Sequence, residues 1–428
     1  MTTFVLFFCL IFFFAIDVPI AIAIGISSVI ALMMKSDLSM MISVQRMYAG
    51  TDSFPLMAVP LFMFAGALME AGGISRRIVN LADSLVGWMT GGLASVAIVS
   101  AMFFAGISGS AAADTAAVGS ILIPAMVDKG YDRDFAGAVQ AAGGSIGVII
   151  PPSIPMIIFG FLTGASIGRL FAAGILPGIL MGLSLVVAVV IISKKRGYGY
   201  TRKFALRTVL TSLYHALWAL GAPIIILGGI LGGIFTATES AAVAVIYALG
   251  VGLFVHRELH VRDLPRIFID AAVMSSIIMF IIAAASIFSW FLAIEEIPKL
   301  ITGFLLSVTT NRIILLLLIN AILLVAGTFV ETTASLILLV PVILPILPNL
   351  GIDLVQLGTI IVVNLAIGML TPPLGICLLV SCSIAQNKLS DISRSIVPFL
   401  AILLIDLLII TFWSPLTSLI PNLVLPTH

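Results

Sequence analysis

Charge is what this sequence has least of. Asp, Glu, Lys and Arg make up 9% of its 428 residues, where a water-soluble domain carries about 25%. So few ionised groups cannot cover a water-facing surface, which excludes a soluble enzyme and a nucleic-acid binder. Cysteine is scarce as well. Cys9, Cys377 and Cys382 each stand in an apolar run, which excludes a disulfide framework and a thiolate metal site. The four histidines, His215, His256, His260 and His428, are scattered. Only His256 and His260 stand four apart, in the charged stretch HRELHVRD, and nothing beside them completes a metal site. There is no GxxxxGK-Ser/Thr loop for nucleotide phosphates and no HExxH pair, so neither ATP hydrolysis nor intramembrane proteolysis is expected.

What fills the sequence is apolar. Hydrophobic residues make up 61% of it, and the mean hydropathy is +1.29. At about 20 residues per span, the length allows roughly ten membrane segments with short loops. The longest charge-bearing connection, Lys194 to Arg207, is too short to bury a core of its own. The stretch from Met1 to Met34 lacks the basic start and small-residue cleavage site of a signal peptide, and is expected to be retained membrane structure. The expectation is therefore an all-α polytopic membrane protein.

Two apolar segments, 88–128 and 300–348, are long and turn polar near their centres. Irregular backbone at membrane depth is tolerated only where it faces protein or a water-filled cavity. Both are expected to be re-entrant helical hairpins that enter and leave on one side. Loops counted that way place fifteen of the 20 Lys and Arg residues on one side, and only Lys35, Arg46, Arg169, Lys299 and Arg312 on the other. The rich side is expected to be cytoplasmic. The Asp17-Val18-Pro19 break leaves open whether residues 4–34 form one span or two.

The second half of the sequence superposes on the first at a single gapless offset. Gly106 falls on Gly327, Pro124 on Pro345, Asp132 on Asp353, Gly147 on Gly368, Pro151-Pro152 on Pro372-Pro373, and Pro177 on Pro398. The charge-based topology sends the two copies in opposite directions. This is an inverted-topology repeat, an architecture of secondary transporters whose site lies at the midplane between the copies. The expected first repeat is 1–208, with scaffold 1–87, transport elements 88–193 and a cytoplasmic loop 194–208. The second is 209–428, with scaffold 209–292 and transport elements 300–418.

Each copy pairs a hairpin tip with a helix break. The first tip reads AGISGSAAADT (Ala105 to Thr115) and its partner GVIIPPS (Gly147 to Ser153). The second tip reads AGTFVETTAS (Ala326 to Ser335) and its partner GMLTPPLG (Gly368 to Gly375). The first proline of each break removes a donor and bars the α conformation for its predecessor, so the helix must open. Released carbonyls and nearby hydroxyls are the oxygen ligands that a hard cation such as sodium takes. The expected cation neighbourhoods are Gly106, Ser108, Ser110, Gly147, Val148 and Pro151 in the first repeat, and Gly327, Thr328, Glu331, Gly368, Met369 and Thr371 in the second. Helices starting after each tip present positive dipole ends suited to an anion. Ser110, Asp114, Pro152, Ser153, Thr332 and Pro373 are the expected substrate-facing residues. Sodium is the expected coupling ion, with no resident cofactor and no transition metal.

Of the acids in or beside apolar runs, Asp17, Glu70, Asp114, Glu239, Glu331 and Asp406, only Asp114 and Glu331 sit in tips. Ionisable groups at depth are functional candidates. The same two acids could instead satisfy open N–H groups of the following helix. Small residues also serve close helix packing, as in LGGILGG from Leu227 to Gly233. Two tips and two breaks at one common offset favour a site.

The runs PLFMFAGALMEAGGISRRIVNLADSLVGW (60–88), FAGISGSAAADTAAVGSILIPAM (104–126), GGSIGVIIPPSIPMIIFG (143–160), LFAAGILPGIL (170–180) and NLAIGMLTPPLGICLLV (364–380) resemble the large membrane subunit of tripartite ATP-independent periplasmic (TRAP) transporters. The resemblance covers nearly the whole chain. It implies a bacterial inner-membrane protein that imports an acidic organic solute with sodium: a C4-dicarboxylate, a sialic acid or another sugar or keto acid. It implies two partners, a periplasmic substrate-binding protein and a small four-helix membrane subunit on a separate chain. The family is similar to the divalent-anion/sodium symporters, which implies an elevator mechanism with arm helices near 73–87 and 293–303. In loop 35–54, with Lys35, Asp37, Arg46 and Asp52, or in loop 293–312, Arg46 or Arg312 is expected to meet the binding protein. The competing expectations are a stand-alone anion/sodium symporter and a non-transporting membrane scaffold.

Overall fold

The computed structural model describes residues 2–35, 39–199 and 204–425; Asp37, Arg202, Lys203 and His428 lie outside them. Every regular element among the described residues is helical. The first apolar segment is two helices, α1 (Thr2–Ala15) and α2 (Ile20–Met33), packed on one another. They separate where Asp17 takes a left-handed φ of 61° ahead of Pro19. Next come α3 (Met41–Thr51), α4 (Ala58–Ala71) and α5 (Ile74–Val86). On α5, Ile74, Ile78, Leu81 and Ala82 are buried while Arg76 is exposed, the pattern of a helix with one wet face.

The first tip and break follow as α6 (Gly92–Ser108), α7 (Ala111–Asp128), α8 (Arg133–Ser145) and α9 (Ile154–Thr163). Then α10 (Ile167–Arg196) runs 30 residues and ends on Lys194, Lys195 and Arg196, cations placed where the helix dipole is negative. After it come α11 (Leu206–Leu231), α12 (Ala237–Gly250), α13 (Leu264–Ile294) and α14 (Ile297–Val308). Glu239 closes a capping box at the start of α12: its carboxylate accepts from Thr236 N at 2.8 Å, and Thr236 Oγ1 accepts from Glu239 N at 3.2 Å.

The second tip and break are α15 (Arg312–Phe329), α16 (Thr332–Ile343), the short α17 (Leu347–Leu350), α18 (Leu354–Gly368) and α19 (Ile376–Ala385). The chain closes with α20 (Leu389–Ser395), α21 (Val397–Phe412) and α22 (Pro415–Val424). Helix α7 begins at Ala111 and α16 at Thr332, while α8 begins at Arg133 and α18 at Leu354. Both pairs are related by the offset that carries Gly106 onto Gly327.

Eight helices among the described residues are long and apolar enough to cross a bilayer. Large apolar side chains stand exposed along them, including Tyr214, Ile224, Ile246 and Phe254. Such a surface belongs in lipid rather than water. Inside, α4 packs on α12 and α13, while α13 lies against α2, α3 and α16. The two copies also exchange parts. Helix α9 packs on α16 and α18 of the second copy, and α19 packs on α7 and α8 of the first. This exchange draws both tips and both breaks toward one place.

Candidate functional site

The chain between α8 and α9 leaves the helix after a short 3-10 turn, Ile146–Val148, and resumes at Ile154. Its counterpart between α18 and α19 is open from Met369 to Gly375. Pro151–Pro152 and Pro372–Pro373 are both cis. Each opening releases carbonyls, and in each the same position of the repeat is picked up across the gap. Val148 O accepts from Ser153 Oγ at 2.5 Å, and Met369 O accepts from Cys377 N at 3.2 Å. Ser153 also accepts from Met156 N at 3.3 Å and so caps α9.

The tips are built on helix caps. Ser110 is the N-cap of α7 and accepts from Ala113 N at 3.5 Å. Glu331, its counterpart in the second copy, is the N-cap of α16. Its Oε2 accepts from Thr333 N at 2.8 Å and Ala334 N at 3.3 Å. The capping role open to Glu331 is therefore the one it performs.

Tip and break touch within each copy. At the first, Ile154 N donates to Gly109 O at 3.4 Å. Gly109 holds a φ of 65°, and a Cβ there would lie 2.7 Å from Pro152 O, so both conformation and space require glycine. Asp114 is fully buried, and Ser108 Oγ donates to its Oδ1. Its Oδ2 has no hydrogen-bond partner among the described residues and faces the backbone of Gly147. A Cβ on Gly147 would overlap that oxygen and stand 3.1 Å from Ser110 O. A carboxylate oxygen and a carbonyl thus converge at Gly147, with the Ser108 hydroxyl on the other carboxylate oxygen; oxygens of this kind are the hard donors sodium takes. At the second, Gly327 lies against Gly368 and Leu365. Thr332 Oγ1, at the first residue of α16, is buried without a hydrogen-bond partner among the described residues. The Thr328 hydroxyl donates within α15 to Leu324 O at 2.8 Å, and that of Thr371, just past the end of α18, donates back to Ile367 O at 3.1 Å. Gly106 lies against Pro223, with Pro151 O at 3.8 Å from a Cβ built on it.

A cavity of about 390 Å³ joins the two copies. Ser110, Glu331 and Thr333 line it, with the backbone at Gly109, Val148 and Met369; α2, α4 and α13 form the facing wall through Pro19, Met63 and Met274. Of the six residues expected to face substrate, only Ser110 lines this cavity. Asp114 and Ser153 are buried in contacts of tip and break, Pro152 is buried, and Pro373 is exposed outside the cavity. Thr332 turns away, and Thr333 takes its place. Successive helical residues point about 100° apart, so one position past the cap decides which hydroxyl faces inward. Thr333 and the apolar wall were not singled out from the sequence; Thr333 was legible only as the second residue after the cap.

The family model described as "Tripartite ATP-independent periplasmic transporter, DctM component" matches residues 7–416. The chain belongs to this family. It is 45% identical over 401 residues to the isethionate TRAP transporter permease protein DctMQ of Oleidesulfovibrio alaskensis. That alignment covers 94% of the chain and 63% of the longer relative. The C4-dicarboxylate TRAP transporter large permease protein DctM of Pseudomonas aeruginosa is 38% identical over 400 residues, 94% of each chain. The sialic acid TRAP transporter large permease protein SiaM of Vibrio cholerae is 40% identical over 381 residues, 89% of each. These TRAP relatives are transporter permeases, and the chain is a multi-pass membrane protein of their kind rather than an enzyme. Among solved structures, the YdaH transporter of Alcanivorax borkumensis shares the fold with a TM-score of 0.56 over 88% of each chain, at 14% identity.

Proposed function

We propose that this chain is the translocating subunit of a sodium-coupled importer of small organic acids in the bacterial inner membrane. A periplasmic binding protein delivers the substrate, and a small four-helix membrane subunit completes the complex. The observation that carries this reading is the pair of repeat-related helix caps, Ser110 and Glu331, on one cavity between two helix breaks. The N-terminus of α7, capped by a neutral serine, presents a positive dipole end to an anion at this cavity, whereas that of α16 is already met by the Glu331 carboxylate. The named substrates of the relatives point the same way: isethionate is a sulfonate, and C4-dicarboxylates and sialic acid are carboxylates.

In this reading α6–α7 and α15–α16 are re-entrant hairpins, and the two copies are inverted in the membrane. Sodium is held beside Gly147 by Asp114, Ser108 and Ser110, and in the second copy beside Gly327 and Gly368 with Thr332. Each tip shares contacts with its own break, so the four elements travel together as the moving body of an elevator. The wall formed by α2, α4 and α13 belongs to the scaffold, with α5 and α14 as arms.

Uptake into proteoliposomes tests the reading. A panel of isethionate, succinate, a sialic acid and a sugar acid is offered, with and without an inward sodium gradient, in the presence of the two partner proteins. Accumulation of one acid that collapses without the gradient is the expected result. Gradient-independent uptake would remove sodium coupling, and uptake without the binding protein would favour the stand-alone symporter.

A further inference from the structure

A second cavity, about 390 Å³, opens beside the first, and its only ionised lining residue is Arg46 of α3. The Arg46 guanidinium lies over the ring of Trp290, 5.2 Å from its centroid, a stacking that holds a cation in place. The Arg46 guanidinium takes part in no ion pair or hydrogen bond among the described residues. Glu295, nearby in sequence to Trp290, is occupied by Lys35 at 2.5 Å and by Thr2 and Thr3, each at 3.2 Å. Ser289 Oγ, on the wall of the same cavity, is buried with no hydrogen-bond partner among the described residues. A positioned cation without a counter-ion and an unused hydroxyl are what a carboxylate or sulfonate would pair with.

The placement of this cavity ties it to the first. Three helices run from one cavity to the other. On α13 the central cavity is lined between Met274 and Ile281, and the second between Ile282 and Trp290. On α9 the sequence is Ile154 then Phe161, and on α16 it is Thr333 then Ile337. At about 1.5 Å per residue, Ile154 and Phe161 stand about 10 Å apart along the axis. The second cavity therefore adjoins the central one, along helices that carry the central cavity's own groups.

We propose that Arg46, steadied by Trp290 and assisted by Ser289, forms an outer receiving site for the acid group of the solute, occupied before the solute reaches Ser110 and Glu331. The proposal rests on the reading above that the chain carries organic acids. It differs from a contact of Arg46 with the binding protein, because the guanidinium faces a cavity shared with α9 and α16.

The test uses the full chain in phosphatidylcholine nanodiscs with Trp290 as its only tryptophan, after Trp88→Phe, Trp218→Phe and Trp413→Phe. Iodide quenching of Trp290 is titrated with succinate or isethionate, against chloride at equal ionic strength. The solute should shield Trp290. Arg46→Gln should raise the concentration needed by about tenfold, the loss of one charge-assisted hydrogen bond, and Arg46→Lys should recover part of it. A thermal melt of each variant separates this from misfolding. Equal shielding in Arg46→Gln overturns the proposal, as does shielding by phosphatidylglycerol nanodiscs without solute. Arg46-dependent shielding without uptake in proteoliposomes leaves the receiving site and removes the transport reading; uptake without such shielding does the reverse.

Discussion

Gly327 and Gly368 meet backbone to backbone: a Cβ built on Gly368 would lie 2.6 Å from Gly327 Cα and 2.7 Å from its carbonyl carbon. These glycines sit on the second tip and the second break, and their contact fixes one against the other. Gly368→Ala must push two backbones apart. Overpacking of this kind costs about 1–3 kcal/mol. The melting temperature in detergent should fall, and uptake should fall further than stability. Gly327→Ala meets its nearest atoms at 3.2 Å and should be milder on both measures.

The first copy solves the same closure differently, with Asp114 Oδ2 filling the space above Gly147. Gly147→Ala therefore collides with a carboxylate and not with a backbone. Asp114→Ala should relieve the collision, so the double variant should be more stable than the sum of the single changes predicts. A double-mutant cycle by thermal melting checks this; strict additivity would mean that the two positions do not meet.

These two contacts mark what was legible in the sequence. Prolines and glycines at one offset were legible as places where helices stop and start, because the conformations they impose leave little choice. The outward faces of the tips were not legible. Whether Thr332 or Thr333 faces the cavity depends on Glu331 being the cap of α16; a helix beginning one residue later would exchange the two. The apolar wall, including Met63 and Met274, was hidden because a membrane helix is apolar all round, and periodicity no longer separates a lipid face from a cavity face. The exchange of α9 and α19 between copies is a matter of tertiary packing that no local pattern records.

At the end of α13, Glu295 accepts from Lys35, Thr2 and Thr3 and so ties the start of α1 to α13. The hydrogen bond from Lys35 holds the Glu295 carboxyl below its ordinary range. A carboxyl lowered in the folded state stabilises fully above the ordinary carboxylate pKa and loses that contribution as pH falls through the folded value. The melting temperature of the native chain should therefore exceed that of Glu295→Gln at neutral pH. The gap should close in acid. A gap that persists unchanged below the carboxylate range would show that the charge is not what binds these helices.

The central claim is that one cavity between Ser110 and Glu331 receives the transported acid. Its most direct measurement is protection of a cysteine placed there. In a background with Cys9, Cys377 and Cys382 replaced, Ser110→Cys or Thr333→Cys is labelled with a small thiol reagent while the acid found in uptake assays is titrated. The account predicts that this acid slows labelling at both positions, and only when sodium is present. Unchanged labelling at both positions while uptake proceeds would contradict it and place the substrate elsewhere.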